Sequence, residues 1–267
     1  GNDASVKGIA EGIKGIVDAA GKASGHTGAA AGDGNSKIGD VADAGGGAGG
    51  NDASVKGIAL GIKGIVDAAG KASGHTGAAA GDTGNSKIGN VASAAAGTKA
   101  DDASVKGIAE GIKGIVDAAG KASGEDGGGA LKGVEEATGN SNEDAGKLFD
   151  TNGGGQADAA AVGKASDAVS AVSGKQIIKA IVDAAGNASG HTGAAAGAAT
   201  NPIAAAIGQT NQAGAAFNNN DMKKDDKIAA AIVLRGLAKG GKFAATDADN
   251  AKSAKSVIES ARKLTNG

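Results

Sequence analysis

The string ASVKGIAEGIKGIVDAAGKASG occupies residues 4–25, returns at 53–74 with Leu60 in place of Glu11, and returns unchanged at 103–124. Successive copies start 49 and then 50 residues apart, and a fourth, partial copy, IIKAIVDAAGNASGHTGAAAG, fills 177–197. Within one copy Val6, Ile9, Ile13, Ile16 and Ala20 recur at steps of three and four, which lays one apolar stripe along a helix. The spacing predicts a helix over about Ser5–Ala20, capped by Asn2, Asp3 or Ser5, with Gly21 as a left-handed residue just beyond its end. Gly8, Gly12 and Gly15 weaken it by about 1 kcal/mol each relative to Ala, so it depends on tertiary contact. Those glycines form a second, flat stripe. It reads either as a close-packing face or as drift in an Ala/Gly-rich coding sequence.

Between the copies, 25–50, 74–100, 124–145 and 186–200 consist of Gly, Ala, Asn, Asp and Ser with few apolar anchors, and are expected to be mobile surface loops. Connections of that length are uncommon in compact domains. Residues 1–142 are therefore expected to form a loose array of three near-identical helix–loop units, with a less repetitive helical core over 143–267. In that core, Val162, Val169 and Val172 predict a helix ending at Gly174, and Ile177, Ile178, Ile181, Val182 and Ala185 a second ending at Gly186. Asn201-Pro202 opens a short helix that Gly208 closes. Asp221–Phe243 carries the strongest helix signal, with Asp225 and Asp226 in the first turn, Ile228, Ile232, Val233, Leu234 and Leu237 inside, and Gly240 and Gly241 beyond. A last helix is expected from Ala248 to Leu264, with Ala254, Val257, Ile258, Ala261 and Leu264 inward. No period-2 run is long enough for a strand. The fold class is all-α: an elongated helical bundle or array with long Gly/Ala-rich loops.

Composition narrows the function. Ala and Gly supply 115 of 267 residues, and Val, Ile, Leu and Phe only 43, below the roughly 20% that marks candidates for disorder. The 27 basic and 29 acidic residues nearly cancel, leaving −2, so the totals imply neither self-repelling disorder nor a field for nucleic acid. The absence of Cys excludes a disulfide framework, a zinc knuckle and a thiol nucleophile. No apolar run approaches the roughly 20 residues of a membrane-spanning helix. The chain opens Gly1-Asn2-Asp3 with no targeting signal, as expected of a mature chain or a fragment.

Motifs for chemistry fail one by one. The three histidines, His26, His75 and His191, all sit in duplicated GHTG loops with no nucleophile or fixed acid beside them, so they are expected to be solvated. Gly45–Gly50 satisfies GxGxxG formally but follows no strand. The Gly-Lys pairs, among them Gly120-Lys121 and Gly146-Lys147, lack the Ser or Thr of a P-loop. Asp150-Thr151-Asn152 opens like a calcium loop, yet Ala161 stands where the bidentate Glu belongs. Without Trp or Tyr, and with only Phe149, Phe217 and Phe243, the chain has little with which to build a deep pocket. It is expected not to be an enzyme and to need no cofactor or metal. Lys223, Lys224, Lys227, Lys239 and Lys242 could make a patch for a polyanionic glycan; the plainer reading is a solvated helix face neutralised by Asp221, Asp225 and Asp226.

The strings ASVKGIAEGIKGIVDAAGKA, DAGKLF (144–149), AVSAVSGKQIIKAIVDAAG (168–186), NPIAAAIG (201–208) and MKKDDKIAAAIVLRGLAKGGKFA (222–244) together resemble the variable large protein (variable major protein-like) surface lipoproteins of Borrelia. The resemblance implies a mostly helical, plasmid-encoded lipoprotein, palmitoylated and anchored at the outer membrane. It implies that silent copies rewrite the expressed gene so that host antibodies lose their target. It also implies invariable regions separated by variable ones, with 222–244 as an invariable helix in which Leu237 and Gly240 depart from the family's Met and Asp. The lipidated Cys of the family is not in this chain, and its opening unit, expected once, is tripled. The expected function is antigenic variation for immune evasion, with host antibodies as partners. Two alternatives are an adhesin that binds host glycosaminoglycan through the lysine-rich helix, and the product of an unexpressed donor cassette.

Overall fold

A computed structural model describes residues 89–122, 131–186 and 191–265. The first two copies of the repeat lie outside the described residues, as do His26, His75 and Gly45–Gly50. The chain divides into two compact units, one of residues 1–69 with 114–132 and one of residues 70–113 with 133–267. In the first, the described residues are the C-terminal half of one helix, where Val116 and Ala118 are buried, and residues 131–132.

The second unit is helical. In chain order its elements are β1 (Val91–Ser93), α1 (Asp102–Ala122, which begins in this unit), a 3-10 helix (Glu143–Phe149), α2 (Ala159–Ser170), α3 (Gly174–Ala185), a short 3-10 turn (Ala196–Ala198), α4 (Pro202–Ile207), α5 (Asp225–Leu237), β2 (Phe243–Ala245) and α6 (Ala248–Thr265). Short polar side chains punctuate them. Asp101 accepts from the Ser104 N–H at the start of α1 (2.8 Å), Asp158 from Ala161 (2.9 Å) at α2, and Asn201 from Ala204 (2.9 Å) at α4. At α6, Asp247 accepts from Asn250 (2.8 Å), a bond that holds the Asp247 carboxyl below its ordinary value. Ser173 and Gln176 form a reciprocal capping box at α3. Each cap satisfies backbone donors that the first helical turn leaves open.

Helix α5 is the axis of the core. It packs against α2, α3, α4, α6 and the first 3-10 helix, and every residue from Asp225 to Gly236 is buried. A helix apolar on all sides belongs in the middle of a domain; this one also buries Asp225, Asp226, Lys227 and Arg235. Around it the interior is largely alanine. Small side chains bring helix backbones close, and the three phenylalanines fill one cluster.

The structure revises several expectations. Residues 89–100 are not a mobile loop: β1 runs parallel to β2, with Val91, Ala92 and Ser93 opposite Phe243, Ala244 and Ala245, and Thr98 bridges antiparallel to Lys242. These two short strands also qualify the expectation of none. The helix expected across 222–244 covers only 225–237, because Gly240 turns the chain with φ +73 and Phe243–Ala245 joins β1. Gly174 opens α3 instead of closing α2, since Ser173 caps there. Gly120, the counterpart of Gly21, lies inside α1, and Gly107 and Gly111 of the glycine stripe are buried. On α6, Ala254, Val257, Ile258 and Ala261 face inward, but Leu264 is 39% exposed.

The encirclement of α5 has a measurable consequence. Ile232→Ala is expected to lose about 2–5 kcal/mol in urea unfolding, because the surrounding helices relax only partly into the cavity. Leu264→Ala should stay within about 0.5 kcal/mol of the parent.

Candidate functional site

The two ends of α5 hold the charged groups singled out by sequence. At its N-terminus, residues 136–142 lie over the first turn. The Asp225 N–H donates to the Gly139 carbonyl (3.1 Å), and the Asn142 amide donates to the Asp225 carboxylate (2.9 Å). Gly139 must be glycine there, since a Cβ would run into that carboxylate. Outside this contact, Glu136 bridges Lys224 (2.6 Å) and Lys227 (3.2 Å). The hydrogen bonds from Lys224 and then Lys227 pull the Glu136 carboxyl down to about 2, and Lys224 is raised in return, first by its bond to Glu136. Asp226 moves the other way, because burial pushes its carboxyl up.

The five lysines do not form one patch. Lys223, Lys224 and Lys227 stand at one end of α5, and Lys239 and Lys242 beyond the other; thirteen helical residues separate the groups by about 20 Å. Two of the first group are committed to Glu136. The backbone of Lys239 donates to Ser104 Oγ (2.9 Å), and Lys242 exchanges backbone bonds with Thr98 (3.0 and 3.1 Å). The plainer expectation also needs correction: Asp225, Asp226 and Lys227 are buried, so this is no solvated face. Only Asp221 of the expected counter-charges is exposed. Sequence reasoning missed Glu136, which has no local signal because its partners lie 88 and 91 residues away.

Near the C-terminal end of α5, Arg235 is fully buried. Its Cζ lies 5.1 Å from the centre of the Phe149 ring and 5.7 Å from that of Phe243. Phe149 also meets Phe217 and Phe243 edge-on, at 5.6 and 5.3 Å. One Nη donates to the carbonyls of Thr98 (2.7 Å) and Lys242 (3.4 Å); Nε and the other Nη have no partner. Burial alone lowers the guanidinium to about 9, so it stays charged at neutral pH. Among the described residues no carboxylate pairs with it, and aromatic faces and carbonyl dipoles carry the compensation.

The remaining candidates are structural. His191 is half-buried and held in place, not free in a loop: Nε2 lies 3.2 Å from the Ala184 carbonyl and Nδ1 3.1 Å from the Asn201 amide nitrogen. Because Asn201 Oδ1 already accepts from the Ala204 N–H, its NH2 must donate to Nδ1, and the ring ties the end of α3 to the start of α4. Asp150 is buried, with Oδ1 accepting from the Asn152 N–H (2.8 Å). Gly146-Lys147 lies within the first 3-10 helix. Among the described residues no three metal-binding side chains converge, and no helix is long and apolar enough to cross a membrane. A cleft of about 470 Å³ between α2 and α6 is lined mainly by serines, valines and Gly163, with no acid or base among its lining side chains.

Such a body is a helical scaffold whose buried charges serve packing. The chain belongs to the Borrelia lipoprotein family, whose model matches residues 71–264. It is similar to variable large protein 21 of Borrelia hermsii, at 34% identity over 135 residues; the match covers 49% of this chain and 35% of that protein. Its structure is similar to the crystal structure of the Lyme disease variable surface antigen VlsE of Borrelia burgdorferi. The TM-score is 0.68 and the identity 44%, across 79% of this chain and 69% of the other. The solved relative is a variable surface antigen.

Two variants test the ends of α5. The lowered Glu136 carboxyl stabilises the fold fully above about pH 4.5, and that contribution is lost as pH falls toward 2. Glu136→Gln should therefore cost up to about 1 kcal/mol at pH 7, the limit for an exposed pair, a difference that fades as the pH falls through about 2. Acid titration of both proteins by circular dichroism reads this difference. Asp226, with its carboxyl raised, opposes the trend in both and cancels. At the other end, Arg235→Met should be as stable as the parent or more so in urea. It removes a desolvated charge, and the Thr98 and Lys242 carbonyls keep each other's N–H. Arg235→Ala, which empties the space between the rings, should lose about 2–5 kcal/mol.

Proposed function

We propose that this protein is an antigenically variable surface lipoprotein, held at the Borrelia outer membrane by a lipid, that works by immune evasion without catalysis. Its partners are host antibodies. The observation that carries this reading is the division between a core and its cover. The sequence that resembles the family's invariable helix is buried from Asp225 to Gly236, whereas 209–220 leaves Gln209, Thr210, Asn211, Asn218 and Asn220 exposed. Residues that bury little can change at a cost within about 0.5 kcal/mol, so an antibody-facing surface can be rewritten while the scaffold stands. The glycan-binding alternative loses its basis in a single lysine cluster.

Antibodies raised against peptide 209–220 are expected to bind the native protein and intact cells. Antibodies against 228–236 should bind strongly only after denaturation. Equal binding of both to intact cells would defeat the reading, as would loss of neither epitope when intact cells are treated with protease.

A further inference from the structure

Asn152-Gly153 is the one Asn-Gly pair among the described residues, and it opens a run of glycines that ends at Gly155. Gly153, Gly154 and Gly155 have φ of +110, +82 and +63, a region that residues with a Cβ rarely enter. Nothing lies within 4 Å of the place a Cβ would take at Gly153 or Gly154. Asn152 is exposed. Among the described residues, neither its carboxamide nor the Gly153 N–H has a hydrogen-bond partner.

Both ends of this loop are fixed. The Asn152 N–H donates to Asp150 Oδ1 (2.8 Å), and Thr151 Oγ1 donates to the Gln209 carbonyl (2.6 Å) and accepts from the Gln212 N–H (3.0 Å). At the far end Gly155 is buried, where a Cβ would collide with the Ala245 carbonyl oxygen. Other asparagines show the contrast. The Asn142 amide donates to Asp225 (2.9 Å), and the Asn250 amide donates to Thr246 (2.9 Å) and Asp247 (2.7 Å). Asn201 precedes Pro202, whose backbone nitrogen carries no proton.

We propose that Asn152 is a site of spontaneous deamidation. The Gly153 nitrogen, once a solvent base has taken its proton, bonds to Asn152 Cγ. The Cγ–Nδ2 bond breaks, and the side-chain nitrogen leaves as ammonia. The product is a cyclic imide, and water then adds to either of its carbonyls. Opening at the Cγ–N bond leaves aspartate. Opening at the bond from the backbone carbonyl carbon to that nitrogen leaves isoaspartate, with the main chain running through Cγ. No electrons are gained or lost, and water is the only co-reactant. Glycine favours ring closure because no Cβ crowds the attacking nitrogen, and the open space at Gly153 and Gly154 lets the peptide turn into the ring geometry. Either product puts a carboxylate where an exposed neutral amide stood, on a loop whose ends stay held. The surface thus gains a charge with time and without a change in the gene.

The full chain tests this when it is incubated in mildly alkaline buffer with and without guanidinium chloride. Peptide mass spectrometry with an enzymatic isoaspartate label follows each asparagine. In the folded chain both aspartate and isoaspartate are expected at 152, at a rate within about tenfold of that in denaturant, because no hydrogen bond has to open first. Asn142 and Asn250 should stay amides while the chain is folded. Gly153→Ala should slow the reaction by about tenfold, since its Cβ crowds the attacking nitrogen. Asn152→Gln, which moves the amide one methylene further out, should leave no product at that position. The proposal is overturned if Asn152 stays an amide in the folded chain while the denatured chain converts, or if Asn142 reacts as fast as Asn152. Aspartate alone at 152, or a Gly153→Ala rate equal to the parent's, would also overturn it, since the imide would then not be the route.

Discussion

The side chain of Arg235, the largest fully buried one, set between the rings of Phe149 and Phe243 with no carboxylate paired to it among the described residues, is the constraint around which the core is arranged. A buried cation without a counter-ion persists only where its surroundings supply negative potential. Here that potential comes from two aromatic faces and from the carbonyls of Thr98 and Lys242. These contacts draw three separated stretches onto α5: the end of the first 3-10 helix, the segment before α1, and the turn before β2. All three phenylalanines of the chain meet at this point. The sequence has no other large rings with which to build a centre.

Elsewhere alanine supplies half of the core cluster, beside isoleucine, valine and leucine, and this sets its mechanical character. An alanine methyl buries little area, so no single one contributes much. What it permits is close approach of helix backbones, with dispersion summed over many short contacts. Stability in such a core is spread thinly. Each described α-helix start but that of α5 has a side-chain cap, and α5, which has none, is instead clasped by Gly139, Asn142 and Glu136 from a distant part of the chain.

The legible parts of the fold were those written in local chemistry. Asn201-Pro202 and Gly208 bracket α4 as expected, the stripe on α6 faces inward up to Ala261, and the third repeat is a helix from its capping Asp101 onward. What escaped reading depends on partners remote in sequence. Asp225, Asp226 and Lys227 look like a solvated charge run until the 136–142 segment covers them. His191 looks like a loop residue until Asn201 turns its amide toward it. Residues 89–100 look like a linker because Gly, Ala and Asn are loop residues by composition, yet the groups that fix them are backbone N–H and C=O, which every residue except proline carries in full.

That last failure bears on how a scaffold of this family can tolerate change. A segment docked by side chains loses its place when they change. A segment docked by its backbone keeps its place through most substitutions among small residues, and its tolerance ends where a Cβ has no room. Gly97 and Gly139 mark such limits: the first faces two carbonyl oxygens and the second a buried carboxylate. Within such a backbone-docked segment, tolerance to substitution therefore follows the geometry of close approach as well as burial.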